Sequence, residues 1–171
     1  MTHIRNALRA VHVPASEGRS VWLNGDVYVV KLDRLSSGGS LTVLEADVPP
    51  GGGPPVHNHA NEDEAFYLLA GELDIHAGSR TYTAVAGDLV FIPRGTFHGF
   101  RNNTTRVARQ LLLFTPGGFE GFFLELGEDA VPGTPPPPTT PNPFERVVDV
   151  GSRYGSFPPP EDRPRPTTGS I

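Results

Sequence analysis

The chain of 171 residues holds six histidines, nineteen acidic side chains and no cysteine. Without thiols there is no disulfide framework, no thiolate zinc site, no iron–sulfur cluster and no cysteine nucleophile. Among the side chains that remain, the spacing of some of the histidines stands out. His57 and His59 are two apart, so in extended backbone both rings point to one face. Glu64 follows after a short loop and heads an apolar strand, from which it can fold back toward the same point. His98 comes from another strand, after a turn fixed by Pro93 and Gly95. His57, His59, His98 and Glu64 together make a nitrogen-rich, borderline-soft donor set. Such a set suits one divalent transition metal per chain (Fe, Mn, Ni, Co, Cu or Zn) and fits calcium or magnesium poorly. Protein ligands from these residues leave one or two positions open on an ion that prefers five or six, as a catalytic site requires.

Simpler roles suffice for the neighbouring residues. Glu64 alone could be an ion-pair partner. It heads Ala65-Phe66-Tyr67-Leu68-Leu69, a run that reads as buried on both faces. An uncompensated carboxylate there would be costly, which favours a ligand or general-base role, with a pKa raised by the dry surroundings. Glu62 and Asp63 read as solvated loop charges. His76 alternates with Glu72 and Asp74 against Leu73 and Ile75, so it faces water. His3 and His12 lie in an unpatterned N-terminal stretch. Phe66 shares the strand parity of Glu64, and Phe100 that of His98, so both are expected to line a substrate pocket beside the metal.

The elements that must hold these residues are strands. Glycine (20) and proline (19) are abundant, which suits many short strands joined by tight turns. Val21-Trp22-Leu23, Asn24-Gly25 and Asp26–Val30 read as strand, type I′ turn and strand. Leu41–Val48 is a strand, and Pro49–Pro55 a rigid, exposed connection. Strands then follow at Glu64–Ala70, Glu72–His76, Arg80–Val85, Leu89–Ile92, Phe97–Asn102 and Arg106–Thr115. No helical segment separates them as a parallel sheet would need, so the fold class is all-β, a small antiparallel barrel. The period changes at Phe119, Phe122, Phe123 and Leu126, a short helix that reads as a lid. Residues 128–141 read as a proline-rich linker. A second helix follows, with Asn142 as cap, Pro143 in the first turn and Glu145 at the capping-box position. The tail 156–171 is expected to be extended or disordered. The resulting division is an N-terminal arm (1–20), a barrel with its lid helix (21–127) and a C-terminal linker, helix and tail (128–171).

Some partners are disfavoured. The formal charge is −5, Lys31 is the one lysine, and the arginines form no stripe, so nucleic acid is not expected. Apolar runs such as Leu111–Phe114 are far shorter than the ~20 residues that span a bilayer, so no membrane partner is expected. Met1–Val13 lacks the apolar core of a signal peptide, which makes the cytoplasm the default location.

Two segments carry a resemblance. They are Gly51-x5-His57-x-His59-x4-Glu64-x6-Gly71 and Gly87-x5-Pro93-x-Gly95-x2-His98-x3-Asn102. Both are similar, at every defined position, to the paired motifs of the cupin superfamily. WLNGDVYVVK, VPPGGGPPVHNHANEDEAFYLLAGEL and LLLFTPGGFEGFFLELG extend a weaker likeness toward its single-barrel, quercetin 2,3-dioxygenase-like branch. The resemblance implies a jelly-roll barrel with His57, His59, Glu64 and His98 as metal ligands inside it, and a homodimer. It also implies a small-molecule substrate, a flavonol or related enolisable aromatic, cleaved with dioxygen as co-substrate and carbon monoxide released. Glu64 would then act as both ligand and general base. Because cupins vary in reaction, an oxygen-independent isomerase, epimerase or polyketide cyclase and a non-catalytic ligand-binding module are the alternatives.

Overall fold

The computed structural model describes residues 9–131, 133–137 and 141–163. Period-two alternation of buried and open side chains builds the first strands, β1 (Arg19–Leu23), β2 (Asp26–Leu32) and β3 (Thr42–Val48). Asn24 (φ 53°) and Gly25 (φ 97°) make the left-handed turn that the Asn-Gly pair predicts between β1 and β2. The chain continues through β4 (Asn58–His59), β5 (Asp63–Ala70), β6 (Glu72–Ala77) and β7 (Arg80–Val85). It closes with β8 (Leu89–Ile92), β9 (His98–Arg101) and β10 (Ala108–Thr115). The C-terminal part adds α1 (Glu120–Leu126), β11 (Glu128–Asp129), α2 (Phe144–Arg153) and β12 (Ser156–Phe157).

The strands form an antiparallel sheet of seven in the order β11-β1-β2-β3-β10-β5-β8, a second of three, β7-β6-β9, and a short pair, β12-β4. Their inward side chains share one core, from Val21, Leu44 and Phe114 on the larger sheet to Leu73, Ile75 and Phe100 on the smaller. This is the two-sheet jelly roll expected of the all-β class. No helix among the described residues is long and apolar enough to cross a membrane.

Several local expectations need correction. The run after Glu64 is not buried on both faces. Phe66 and Leu68 point in, whereas Tyr67 and Leu69 are exposed, because β5 belongs to a sheet with only one covered side. Glu62 is buried rather than solvated, since the β4–β5 loop folds inward before β5 begins. Asn142 does not cap α2. Its amide and backbone N–H both donate to Asn24 Oδ1, and Pro143 occupies the cap position without a side-chain bond. The linker begins as strand, with Glu128 and Asp129 paired to β1. The tail also begins as strand, with Ser156 and Phe157 paired to His59 and Asn58. Residues 164–171 and His3 lie outside the described residues. Pro49–Pro55 forms no strand, as expected, but it is partly buried: Gly51 donates to Asn102 O at 2.8 Å. It therefore folds over the barrel mouth instead of standing free.

Candidate metal centre

The side chains singled out by spacing converge. His57, His59, Glu64 and His98 present ligand atoms that all lie within 4.8 Å of one another. Donors around one ion with bonds of about 2 Å span a comparable distance. Local backbone explains the convergence. His57 pairs with His98 in an isolated antiparallel bridge, with N–H to O contacts of 2.9 and 2.7 Å in the two directions. This bridge ties the two motifs together. β5 then brings Glu64 to the same interior, beside Phe114 and Ile92. Gly95, at φ 82°, turns the chain ahead of β9 and donates to His59 O at 2.7 Å.

The hydrogen bonds behind the rings set their tautomers. His57 Nδ1 lies 2.9 Å from Pro55 O and His98 Nδ1 lies 2.8 Å from Thr96 O. A carbonyl only accepts, so each Nδ1 carries the proton. His57 Nε2 is left with its lone pair toward the centre, whereas His98 Nε2 donates to Glu64 Oε2 at 2.7 Å and would turn its lone pair to a metal only in place of that proton. His59, 1% exposed, makes no hydrogen bond through either ring nitrogen among the described residues. Its Nε2 is 3.2 Å from Glu64 Oε2 without hydrogen-bond geometry. An orphaned, buried imidazole facing two others and a carboxylate is what a metal ion would satisfy, so the residues fit a transition metal.

Electrostatics agree. Burial holds His57 down to about 3, helped by the neighbouring His98 and His59 rings, so it stays a neutral donor at physiological pH. Burial also acts to lower His98, but the hydrogen bond and charge of Glu64, 2.7 Å from its Nε2, shift it upward overall. For Glu64 the raised pKa expected from the sequence is not found. Burial pushes it up, yet the His59 and His98 imidazoles outweigh that and bring it down to about 2. Parity alone could not show that two imidazoles would face one carboxylate.

Phe66 and Phe100 both line the pocket that opens from the cluster, their rings 5.6 Å apart and edge to face. More of the wall comes from residues whose role the sequence left unspecified. Phe119, read as part of a lid helix, sets its ring 4.2 Å from His59, edge to face. Phe114 and Phe123 add further rings, and Val147 and Val148 of α2 reach the same space. Asp26 and Tyr28 on β2 also line it and were missed. The signal was present, because Asp26, Tyr28 and Val30 share one parity, but Val27 and Val29 make the opposite face apolar as well, so the pattern alone assigns no inner face. His76 is exposed and bonded to Thr81, and His12 is exposed; neither joins the centre.

Comparison with known proteins converges on one family. A family model described as "Cupin domain" matches residues 44–114. Quercetin 2,3-dioxygenase of Bacillus subtilis is 24% identical over 114 residues, covering 67% of this chain and 34% of that protein. Germin-like protein 5-1 of Oryza sativa subsp. japonica is 36% identical over 80 residues, 44% of this chain and 36% of that one. The matches thus span about a third of these curated relatives. Among solved structures, a predicted oxalate decarboxylase from Thermotoga maritima superposes with a TM-score of 0.58 at 22% identity, over 62% of this chain and 99% of that one. The domain match runs from β3 through β10 and so contains all of the converging donors, and over that segment the chain is a cupin domain.

Proposed function

We propose that this chain is a metal-dependent dioxygenase acting on a flavonol-like, enolisable aromatic small molecule. The observation that carries this reading is the wall of the pocket beside the donor cluster. It is built mostly from phenylalanine rings and aliphatic side chains, and among the described residues no lysine or arginine lines it. A flat, mostly apolar ligand fits such a wall, whereas a small dicarboxylate would use the metal alone and leave the rings without a contact. The relationship to quercetin 2,3-dioxygenase supports the same substrate class.

His57, His59, Glu64 and His98 would hold one divalent ion per chain. That ion supplies Lewis acidity toward an enol oxygen and, if redox-active, one-electron chemistry toward dioxygen. The protein's own part is positioning and proton transfer. Phe66 and Phe100 hold the ligand plane against the cluster and exclude water. Glu64 Oε2 accepts the enol proton as the ligand seats, so that the ligand binds as its anion. The Nδ1 bonds of His57 and His98 to backbone carbonyls keep both rings fixed during that transfer. We further propose a homodimer, using the outer face of β5 and β8, where Tyr67, Leu69, Leu89 and Phe91 are exposed.

The test is oxygen uptake by protein reconstituted with Fe, Mn, Co and Ni in turn, given a flavonol panel. Uptake matched to loss of flavonol absorbance supports the proposal and identifies the productive metal. No uptake with each metal confirmed bound overturns it. Turnover of a related substrate under strict anaerobiosis would then favour an isomerase or cyclase.

A further inference from the structure

The inner face of β2 carries a polar pair that the donor cluster does not use. Asp26 and Tyr28 are each 3% exposed and point into the barrel with Val30. Tyr28 O–H donates to Asp26 Oδ2 at 3.0 Å, and its ring packs on Phe123 with centroids 4.6 Å apart. Asp26 Oδ1 is buried and makes no well-aligned hydrogen bond among the described residues, although the Gly53 amide lies close enough to the carboxyl to favour its ionised form. Gly52 leaves the room for this oxygen, since a Cβ there would lie 2.3 Å from it. Both residues line the same pocket as His57, His59 and Glu64. Yet β3 and β10 stand between β2 and β5 in the sheet, so strand spacings of about 4.8 Å each separate the two polar groups along a curved wall. The Asp26–Tyr28 pair and the donor cluster thus enter the pocket from different strands, with Leu112 and Phe114 of β10 between them along the sheet.

A carboxyl oxygen left without a partner in such surroundings is costly. Burial pushes Asp26 up to about 7, against the pull of the Tyr28 hydroxyl, the Gly53 amide and the Arg101 charge. Both protonation states are populated near neutral pH. A hydroxyl group satisfies either state, donating to the carboxylate or accepting from the acid. An ammonium ion or a carboxylate satisfies only one.

We propose that Asp26, held by Tyr28, is a second, specificity-determining subsite that binds a hydroxyl group on the end of the ligand remote from the metal cluster. The flavonol identity of that ligand rests on the function proposed above; the hydroxyl subsite does not.

Two matched probe sets test it. Metal-loaded protein is titrated with 3-hydroxyflavone and with its 7-hydroxy and 4′-hydroxy derivatives. Metal-free protein is titrated with 2-naphthol and 2-fluoronaphthalene. Wild type, Asp26→Ala and Asp26→Asn are compared, with melting curves to confirm folding. In wild type, one added hydroxyl should tighten binding by about tenfold. Asp26→Ala should remove that ratio, and Asp26→Asn, whose amide both donates and accepts, should restore most of it. A purely structural role would change affinity for both members of a pair equally. The same ratio in Asp26→Ala as in wild type overturns the subsite. If no flavonol binds metal-loaded wild type, the flavonol reading falls and the naphthalene pair decides alone; no preference for the naphthol then overturns the subsite too. Should Asp26→Ala fail to fold, the carboxyl carbon resonance of Asp26, assigned by its loss in Asp26→Asn, takes its place. It should shift with the hydroxylated probe and not with its partner; equal shifts overturn the proposal.

Discussion

Glu64 is pulled in opposite directions by its surroundings. Burial would keep the carboxyl protonated, while the His59 and His98 rings hold it ionised, with a pKa of about 2. It is thus a ready anion for a metal, and one buried too deeply to be a solvated surface charge. Glu64→Gln keeps the shape and the imidazoles but removes the anion. Metal should still bind, more weakly, while turnover falls by about 100-fold or more, the scale of general-base catalysis. Metal content and oxygen uptake measured on one sample check this, and unchanged turnover at full occupancy would exclude the base role. Asp26 behaves in the opposite sense. Its pKa rises on folding from 3.8 to about 7, so between those values the folded state binds more protons than the unfolded state. Its contribution to stability is complete below about pH 3.8 and is lost as pH climbs through 7. Tyr28, the Gly53 amide and Arg101 face it and reduce the loss without cancelling it. Asp26→Asn should therefore gain stability relative to wild type as pH rises from 4 to 8, by roughly 2–4 °C of Tm per kcal/mol relieved. Melting curves across that range read the sign directly.

At the scale of elements, the motif asparagine works on the turn and not on the metal. Asn102 is fully buried and its side chain is saturated, donating to Val48 O at 2.8 Å and Arg106 O at 2.7 Å. Its Oδ1 accepts from Thr104 N at 2.9 Å and Thr104 Oγ1 at 2.8 Å. It fastens the β9–β10 turn to the end of β3. Asn102→Ala leaves buried partners unsatisfied and should cost about 2–4 kcal/mol, read by denaturant unfolding, with metal affinity of the folded protein little changed. Such elements were legible wherever a short-range rule governs them. The Asn24-Gly25 hairpin, the parity of His57 and His59, and the period of Phe119–Leu126 all follow from residues within one turn or strand. What escaped depends on distant chain. Ser156 and Phe157 become strand only because β4 offers them an edge. Asn142 finds Asn24 instead of its own helix terminus. Glu62 sits where a loop folds inward, which no local pattern marks. The metal cluster was readable because His59, Glu64 and His98 lie on strands and His57 in extended backbone beside one. The Asp26–Tyr28 pair was not, because valines alternate on both of its sides.

For the whole molecule, the sheet order leaves β8 as an edge strand with a greasy outer face. Leu89 is 61% exposed and Phe91 55%. Their cross-strand neighbours on β5 are Tyr67 and Ala65, so the outward side chains of the two strands form a continuous apolar surface. Proteins that stay monomeric blunt such edges with charge or proline, and between Leu89 and Ile92 there is neither. An isologous contact would cover the surface twice, once on each copy, and would leave the barrel mouth free, since no residue from 65, 67, 69, 89 or 91 lines the ligand pocket. In the proposed homodimer, which requires that the wild type sediment as a dimer, dimerisation and ligand binding should therefore separate by mutation. Leu89→Glu with Phe91→Arg should shift sedimentation from dimer to monomer at micromolar concentration. Strand content and metal stoichiometry should stay unchanged, because both side chains point away from the core. A dimer that survives both substitutions would place the contact on another face, and loss of metal along with the dimer would mean that the partner copy stabilises the centre after all.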